Sequence, residues 1–225
     1  MPNYLILRPK ENAKKAAEIL YSKGCNVIIE PIFSVESITS IIADKSPQAI
    51  IITSSNACDA VINSDLALDV KIFAVGLQSA ERLLTCGYKN IFHPTKSSAE
   101  DLRNLIIKNL DPKNGKILYF CGDVITLDFK LELELIGFMV DKILAYKIKW
   151  HTNFSTDFLQ KISQQKIDFV LIYSQNSVKK FHELLKNNNL LEYFSDSKLL
   201  CLSDKIVATS KELGFGNVEF CVLKN

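Results

Sequence analysis

The chain has 225 residues, of which 48% are hydrophobic and 23% are charged, and its formal net charge is +2. This balance is that of an ordinary globular protein with room for one large or two small domains, and the small charge without a basic tract argues against nucleic acid as a partner. The sequence also lacks a basic-then-apolar signal segment and any apolar run near the roughly 18 residues of a spanning helix, so we expect a cytoplasmic protein.

The first forty residues predict a strand, a helix and a second strand. Tyr4–Leu7 is a short apolar run, and the helix that follows is predicted to begin with Asn12 as its N-cap and to end at Gly24. Val27–Ile29 forms the next apolar run. Ile32–Ser40 is then an extended connector with little pattern of its own.

Residues 48–94 predict a strand, a polar turn and a helix, twice over, and then a further strand. Ala49–Ile52 is apolar and short enough for one buried strand, and it is followed by the four small polar residues Thr53–Asn56. These suit a turn and a helix N-cap. A second apolar run, Ile72–Val75, precedes a helix that is predicted to begin at Ser79-Ala80 and to close at Gly87.

The middle and the C-terminal part continue the alternation of strands and helices. In the middle part, the predicted elements are a helix over Ala99–Leu110 capped by Ser97 or Ser98, a strand at Lys116–Phe120, a helix around Leu127–Leu135 and an extended run at Met139–Ile148. In the C-terminal part, they are a strand at Asp168–Ile172, a helix through Leu185, a strand at Leu199–Leu202, a helix that follows it, and a last strand at Val218–Val222.

The chain contains an internal repeat. TSSNACDAV aligns without a gap with YSQNSVKKF, and AVGLQSAERLLTCG aligns with CLSDKIVATSKELG, so residues 48–94 resemble residues 167–222. The stretch ILRPKENAKKAAEILYSKGCNVIIEPIF likewise resembles ILYFCGDVITLDFKLELELIGFMVDKILAY. Two copies of each segment indicate two similar half-molecules rather than a solenoid, which needs at least about three repeats.

These patterns predict an α/β fold of two similar domains, each a parallel sheet of about five strands flanked by helices. The repeat divides the chain into four consecutive segments, of which the first resembles the third and the second resembles the fourth. Each domain can consist of two segments that are neighbours in sequence, the first with the second and the third with the fourth. Alternatively, the second and third segments form one continuous domain, and the first and fourth form the other. We favour the second arrangement because the extended runs 32–40 and 143–152 suit a two-stranded hinge. Residues 1–34 plus 149–225 then form a discontinuous first domain, and residues 35–148 form an inserted second domain.

Polar residues gather at the carboxyl ends of the predicted strands, where parallel sheets bind ligands. Helix N-termini at these edges offer free backbone N–H groups, so two facing rows of them would make a cleft suited to a large polyanion. Helix capping remains the alternative for each single residue. The edge residues are Arg8, Thr53, Ser54, Ser55, Asn56, Leu77, Gln78, Ser79, Gly122, Asp123, Ser174, Gln175, Asn176, Ser177, Ser203, Asp204 and Lys205.

The sequence shows no conventional reactive centre. It has no glycine-rich phosphate loop, no paired carboxylates in the polar turns and no Ser–His–Asp or Cys–His order. The three histidines share no metal-ligand spacing, and the six cysteines form no CxxC pair, so we expect packing roles for the cysteines and no metal site. The absence of reactive side chains would fit a reaction that the substrate nearly performs unaided.

The chain resembles the uroporphyrinogen-III synthase family along nearly its whole length. The resemblance implies two α/β domains, the first interrupted by the second, joined by a β-ladder. The segments that carry it are ILRP at 6–9, GCNVIIEPIF at 24–33, IIITSSNA at 50–57, AVGLQSAERLLTCG at 74–87, ILYFCG at 117–122, LIYSQNSVKKF at 171–181 and LCLSDKIVATSKELG at 200–214.

The resemblance implies cofactor-free cyclisation of hydroxymethylbilane, a linear tetrapyrrole with eight carboxylate side chains, in the cleft between the domains. The terminal hydroxyl leaves as water, ring D attacks through its substituted carbon, and a spiro intermediate fragments and recloses with ring D inverted. Unaided closure gives the type I isomer, so the enzyme must bias geometry more than supply reactive groups.

Site residues follow from the resemblance by position. Tyr146 matches the tyrosine that assists departure of the hydroxyl, although packing at a strand end is an equal alternative. Ser54, Ser79 and Ser174 match polar positions of the turns, and Arg8 matches an arginine suited to a substrate carboxylate. The strand-end argument above, rather than the resemblance, adds the remaining expected substrate-binding residues: Thr53, Ser55, Asn56, Gln78, Gly122, Gln175, Asn176, Ser203 and Lys205.

The chain also departs from the family. Cys121-Gly122 and Thr126 stand where relatives often carry arginines, and Lys205 stands where some carry Thr. These differences put the detailed carboxylate contacts in question.

Other functions remain open. A two-lobed binding module for a small anion would share the hinge but do no chemistry, and a nucleotide-binding enzyme is disfavoured because the turns lack GxGxxG spacing. We expect a monomer with, at most, transient contact with hydroxymethylbilane synthase.

Overall fold

The computed structural model describes residues 1–95, 98–125 and 127–221. Within these ranges strands and helices alternate, as in α/β proteins. The strands are β1 (Asn3–Ile6), β2 (Asn26–Ile29), β3 (Phe33–Ser37), β4 (Ala49–Ile52), β5 (Lys71–Ala74), β6 (Asn90–Phe92), β7 (Lys116–Gly122), β8 (Met139–Trp150), β9 (Phe169–Ile172), β10 (Lys198–Cys201) and β11 (Val218–Phe220). The helices are α1 (Lys10–Ser22), α2 (Cys58–Ile62), α3 (Leu77–Thr85), α4 (Ala99–Asn109), α5 (Phe129–Glu134), α6 (Thr156–Ile162), α7 (Gln175–Asn187) and α8 (Asp204–Glu212).

The chain divides into two compact units. Unit 1 comprises Met1–Ser34 and Lys149–Asn225, and unit 2 comprises Val35–Ile148. The chain passes from one unit to the other in β3 and again at β8, and these two strands are neighbours in one sheet. Unit 1 is therefore discontinuous in sequence, whereas unit 2 is continuous.

Unit 1 is built on a five-stranded sheet with the order β11-β10-β9-β1-β2, in which every neighbouring pair is parallel. Numbered along unit 1, this is the doubly wound order 2-1-3-4-5, which reverses direction between β1 and β9. One face packs against the alanines of α1, and the other packs against apolar side chains of α6, α7 and α8. Apolar burial on both faces explains why the strands are short continuous apolar runs.

Unit 2 contains the six-stranded sheet β3-β8-β7-β4-β5-β6. The pairs formed among β4, β5, β6, β7 and β8 are parallel, and the strand order reverses between β4 and β7. Helices α2 and α3 cover one face, and α4 and α5 cover the other. All four residues of β4 are 0% exposed, as expected for the central strand.

The internal repeat appears as a shared strand order. The sequence β11-β10-β9-β1-β2 in unit 1 corresponds to β6-β5-β4-β7-β8 in unit 2. The registers correct one detail of the predicted alignment, however. Ile6 pairs with Leu171 in unit 1, and Tyr119 pairs with Ile51 in unit 2. Because Leu171 and Ile51 are equivalent positions of the repeat, Ile6 corresponds to Tyr119. Arg8, two residues after Ile6, therefore corresponds to Cys121 rather than to Tyr119.

Helix starts follow the capping rule where a serine ends the preceding turn. The side chains of Ser54, Ser98, Ser174 and Ser203 each accept a hydrogen bond from a backbone N–H of the first helical turn. Ser98 is thus the cap of α4, and Ser97, the alternative, lies outside the described residues.

Two predicted helix starts were wrong. The N-cap of α1 is Pro9, not Asn12, and the Pro9 carbonyl accepts from the backbone N–H groups of Asn12 and Ala13. Proline is pre-organised for a helix start, which outweighs the capping tendency of asparagine. Helix α3 begins at Leu77, two residues before the predicted Ser79.

Helix α6 was not predicted. It has seven residues and is anchored by a buried carboxylate, because Glu30 (5% exposed) accepts hydrogen bonds from the backbone N–H and the hydroxyl of Ser155, both at 2.7 Å. This contact spans 125 positions of the chain. The last predicted strand is shorter than expected, and its final residue, Val222, lies outside the described residues.

The remaining predictions concern membranes and cysteines. Across 1–95, 98–125 and 127–221, no helix combines the length and the apolarity needed to cross a bilayer. All six cysteines are free; Cys58, Cys121 and Cys201 are buried, whereas Cys86 is exposed.

Candidate functional site

The polar turns of each unit lie where its strand order reverses. In unit 2, Thr53–Asn56 follow β4, and Gly122 ends the neighbouring strand β7. In unit 1, Arg8 follows β1, and Tyr173-Ser174 follow the neighbouring strand β9. Open α/β sheets bind ligands outside the carboxyl ends of their strands at such reversals. Each unit therefore has its own candidate site.

Tyr146 lies at the candidate site of unit 2. It belongs to β8, is 7% exposed, and packs against the apolar cluster that includes Ile52 and Phe120. Its phenol lies near Ser54, the N-cap residue of the turn after β4. Burial raises the pKa of the Tyr146 phenol, and the nearby Ser54 side chain acts in the opposite direction. The phenol is thus held protonated beside the polar turn.

Gly122 provides the space for the Tyr146 ring. The two residues pair across β7 and β8, next to an irregularity between Cys121 and Gly122 that shifts the register. A Cβ atom at Gly122 would lie 2.6 Å from Cε2 and Cζ of Tyr146 and 2.9 Å from its hydroxyl oxygen. Such distances are too short for any side chain, so the ring occupies this position only because residue 122 is glycine.

Asp123 fixes the backbone around Tyr146. Its backbone N–H donates to the Tyr146 carbonyl at 3.2 Å, and its Oδ1 accepts from the backbone N–H of Ile148 at 3.2 Å. These bonds continue the pairing of β7 with β8 past the register shift. The backbone that carries Tyr146 is therefore held on both sides of the residue.

Thr53 lies beside a second tyrosine. Tyr119 is a fully buried residue of β7, and its hydroxyl donates to the Leu127 carbonyl at 3.4 Å. Burial raises the pKa of Tyr119 to about 12, and the neighbouring Thr53 side chain opposes that rise. Thr53 and Ser54 thus each lie next to a tyrosine.

The rest of the turn is supported from α3. The Nη1 of Arg82 donates to the Ser55 carbonyl at 3.5 Å, and Arg82 also forms an ion pair with Asp59. Asn56 donates its backbone N–H to the Ser54 Oγ at 3.2 Å. The turn is consequently fixed by side chains of two elements.

Ser79 and Gln78 differ in exposure. Ser79 is 5% exposed, and its carbonyl accepts a weak hydrogen bond from the Cys58 thiol at 3.9 Å. Burial raises the pKa of Cys58 to about 11, so this cysteine stays a neutral packing residue. Gln78, one residue earlier on α3, is exposed to solvent.

Arg8 and Tyr173 form the centre of the candidate site in unit 1. The Cζ atom of Arg8 lies over the Tyr173 ring, 4.5 Å from its centre. The Tyr173 hydroxyl is buried without a hydrogen-bond partner, so the contact is made with the ring rather than with the hydroxyl. Burial lowers the pKa of Arg8, although a guanidinium remains charged at any physiological pH.

The other unit 1 residues lie at the starts of α7 and α8. Ser174 accepts from the backbone N–H of Ser177 at 3.1 Å, and Ser203 accepts from that of Ile206 at 3.4 Å. The Gln175 amide donates to the Thr209 hydroxyl at 2.8 Å, which links the two helices. Asn176 and Lys205 are exposed to solvent.

The structure brings the predicted residues into two groups, one in each unit. Thr53–Asn56, Gln78, Ser79, Gly122 and Tyr146 belong to unit 2, and the others belong to unit 1. Tyr173 was missing from the predicted site, although it precedes Ser174 as Thr53 precedes Ser54. Thr126, one of the noted departures from the family, lies outside the described residues. No three His, Cys, Asp or Glu side chains of the described ranges lie together as metal ligands would.

These observations define a class of protein: a chain of two doubly wound α/β units, each with a polar ligand edge at its strand reversal. A sequence model of the family described as Uroporphyrinogen-III synthase HemD matches residues 14–220. The chain belongs to the uroporphyrinogen-III synthase family, whose members are hydro-lyases of tetrapyrrole biosynthesis.

Solved structures share the fold. The uroporphyrinogen-III synthetase of Helicobacter pylori 26695 is 14% identical, with a TM-score of 0.64 over 99% of this chain and 95% of that chain. A mutant uroporphyrinogen III synthase of the extremely thermophilic bacterium Thermus thermophilus is 15% identical, with a TM-score of 0.57 over 100% of this chain and 94% of that chain.

A curated relative matches a shorter stretch. An uncharacterized protein of Rickettsia prowazekii (strain Madrid E) is 40% identical over 60 residues, which are 27% of this chain and 22% of that protein. The match thus spans less than a quarter of that relative's length.

Proposed function

We propose that this chain is a cofactor-independent uroporphyrinogen-III synthase that cyclises hydroxymethylbilane with loss of water and inversion of ring D. Family membership supports the reaction class. The observation that carries the assignment of a reacting group is the placement of Tyr146, whose phenol lies near Ser54 and whose ring lies against Gly122 at the strand reversal of unit 2.

Tyr146 suits the first chemical step, which is departure of the terminal hydroxyl. A phenol is protonated at neutral pH, and burial raises the pKa of Tyr146 further, so its proton is present for donation to the leaving oxygen. Ser54 supports the resulting oxygen charge, since its side chain lowers the pKa that burial raises. The electron-rich ring face then stabilises the cationic azafulvene that remains.

The later steps need positioning rather than further reactive groups. Ring D attacks through its substituted carbon, and the spiro intermediate fragments and recloses, with both steps driven by the pyrroles themselves. The capped turns at Ser54, Ser174 and Ser203 place backbone N–H groups at the strand ends. Such groups favour negative charge, which suits a substrate with eight carboxylates.

Product analysis tests this proposal directly. The chain is incubated with freshly prepared hydroxymethylbilane, and the oxidised products are resolved by chromatography. The proposal expects the type III isomer in excess over a reaction without protein. If the type I isomer is the sole product, the assignment is wrong, and recovery of the ligand unmodified after tight binding would instead favour a binding module.

The finer expectations about partners are also proposals. We infer that the chain acts as a cytoplasmic monomer and receives its substrate in a transient contact with hydroxymethylbilane synthase. The tendency of the substrate to close unaided supports such a transfer, because a shorter time in water leaves less type I product. Light scattering after gel filtration tests the monomer, and cross-linking of the two enzymes during turnover tests the contact.

A further inference from the structure

Unit 2 contains a cavity beside α2 that has no part in the proposed reaction. Its volume is about 240 Å³, and it lies between α2, the end of β3 with the connector that follows, and the strands β7 and β8. Phe120 and Ile143 of the sheet and Ala60 of α2 form its apolar side. Because every lining residue belongs to Val35–Ile148, the cavity is complete within unit 2.

The cavity lies where unit 1 carries α6. The strand registers that relate the two units make Phe120 equivalent to Leu7. They also make Ile143 equivalent to Glu30, the residue that anchors α6. Ile143 has no oxygen that could anchor a helix in this way. The connector of residues 38–48, which leads into β4 as α6 leads into β9, contains no helix, and all of its residues are described.

Phenyl rings fill the corresponding space in unit 1. Phe154 and Phe158 flank Ser155, the residue bound to Glu30, and they belong to the apolar cluster that contains Leu7. Their ring centres are 4.9 Å apart. The connector 38–48 of unit 2 has no aromatic residue to match them. A ligand with a phenyl ring would therefore give the sheet of unit 2 the kind of neighbour that unit 1 supplies from its own chain.

The polar side chains around the cavity offer hydrogen bonds but no unpaired charge. Those of Ser37, Thr39 and Asn63 line the cavity and make no hydrogen bond within residues 1–95, 98–125 and 127–221. We call these three residues the polar rim. The carboxylate that lines the cavity, Asp59, is paired with Arg82. The polar rim can thus bond to a hydroxyl or an amide group of a neutral ligand.

We propose that this cavity binds a small neutral aromatic molecule that carries a hydroxyl or amide group. The ring lies against Phe120 and Ile143, and the polar group bonds to the polar rim. The volume limits the ligand to about eight non-hydrogen atoms, at the roughly 30 Å³ that one water molecule occupies in the liquid. Such a ligand adds to the apolar cluster of unit 2 that contains Phe120 and Tyr146. It is smaller than the proposed substrate and lacks its carboxylates.

Benzyl alcohol has the ring, the hydroxyl and the size that the cavity requires, so it is the probe. Its binding to the full chain is measured from backbone amide NMR signals during a titration. A dissociation constant on the order of 1 mM is expected for so small a ligand. The signals of residues 37–40 and 59–64 are expected to shift and to reach a plateau together.

Ala60→Phe fills the cavity from α2 and is expected to weaken binding of benzyl alcohol at least about tenfold. Ala208→Phe is the matched control, because Ala208 is an exposed alanine of helix α8 in unit 1. It is expected to stay within about twofold of wild type, since distant sites act independently. Thermal unfolding shows whether each variant is folded, and Ala60→Leu takes the place of Ala60→Phe if the larger ring does not fit.

Toluene separates the contribution of the ring from that of the polar rim, because it has the ring without the hydroxyl. Asn63→Ala is expected to weaken binding of benzyl alcohol about threefold, the loss of one hydrogen bond, and to leave toluene within about twofold of wild type. A general distortion of the cavity would weaken both probes equally. Equal losses for the two probes would therefore remove the role of Asn63 in recognition.

The inference is overturned if benzyl alcohol shifts none of the signals of residues 37–40 and 59–64 at about ten times the expected dissociation constant. It is also overturned if Ala60→Phe binds as tightly as wild type, or if Ala208→Phe loses as much affinity as Ala60→Phe. These outcomes leave the proposed function untouched, because formation of isomer III is measured separately.

Discussion

Tyr146 has neighbours on three sides: Ser54 lies near its hydroxyl, Gly122 makes room for its ring, and Asp123 binds its backbone. The role proposed for its phenol is proton donation to the leaving hydroxyl. Removing the hydroxyl tests the role with little change in shape. Tyr146→Phe is expected to slow turnover at least about tenfold, equivalent to about 1.4 kcal/mol of barrier, in the initial rate of isomer III formation. Unchanged turnover would remove the role assigned to the phenol.

Gly122→Ala tests the space for the ring. The added Cβ would lie 2.6 Å from two ring carbons of Tyr146, so the ring must move and the variant is expected to lose about 1–3 kcal/mol of unfolding free energy together with activity. Urea denaturation and the initial rate measure the two effects. Gly216→Ala is the control, because a Cβ there meets nothing within 4 Å. Equal behaviour of the two variants would contradict the contact described between Gly122 and Tyr146.

The cysteines give a prediction of chemical reactivity. Burial raises the pKa of Cys58 to about 11, so below that pH its reactive thiolate is scarcer than in the unfolded chain, and the side chain is also shielded. Cys86 is exposed. Maleimide labelling of the native chain at about pH 7.5, followed by peptide mass analysis, is expected to modify Cys86 well before Cys58, Cys121 and Cys201. Labelling at equal rates in the native chain, with the unfolded chain as reference, would be inconsistent with the burial described.

Among the elements, α6 depends most clearly on one distant side chain. Glu30 receives two hydrogen bonds from Ser155, and the Ser155 hydroxyl also accepts from the backbone N–H of Phe158. Glu30→Ala leaves these donors unpaired, so a loss of about 2–3 kcal/mol of unfolding free energy is expected in urea denaturation. Glu36→Ala, at an exposed position of β3, should change stability by less than about 0.5 kcal/mol. A Glu30 variant as stable as the Glu36 variant would contradict this account.

The elements also show what the sequence can predict. β4 was predicted residue for residue, because a run buried on both faces is continuously apolar and a cluster of small polar residues ends it. Helix α6 was missed because its anchor, Glu30, lies 125 residues away and leaves no local pattern. The serine caps were predictable from local capping chemistry, whereas at Asn12 a preceding proline decided the helix start.

The candidate site was likewise predictable from the sequence only in part. The polar turns were predictable because strand ends and helix starts have recognisable residues. The contact of Tyr146 with Gly122 was not, since it depends on a register shift between two strands. The correspondence of Arg8 with Cys121 likewise needed strand registers, because sequence similarity alone favours an alignment displaced by two residues.

At the scale of the whole molecule, the division into domains is a proposal with a direct test. Residues 35–148 are continuous and contain two apolar clusters of their own, one on each face of the sheet. We expect this segment, expressed alone, to unfold cooperatively in urea and to show the circular dichroism of an α/β domain. A non-cooperative transition would mean that unit 2 depends on unit 1. The excised segment of residues 1–34 is the control and is expected to be unfolded.

The order of strands in unit 1 has a consequence for synthesis on the ribosome. β1 is translated first, yet it lies between β2 and β9, and β9 emerges more than 160 residues later. β1 therefore has one unpaired edge until all of unit 2, which lies between the two halves of unit 1 in the sequence, has been synthesised. A nascent chain arrested once residue 150 has left the ribosome should therefore expose residues 1–34 to protease while unit 2 resists, and protection of both would show that β1 finds a temporary neighbour.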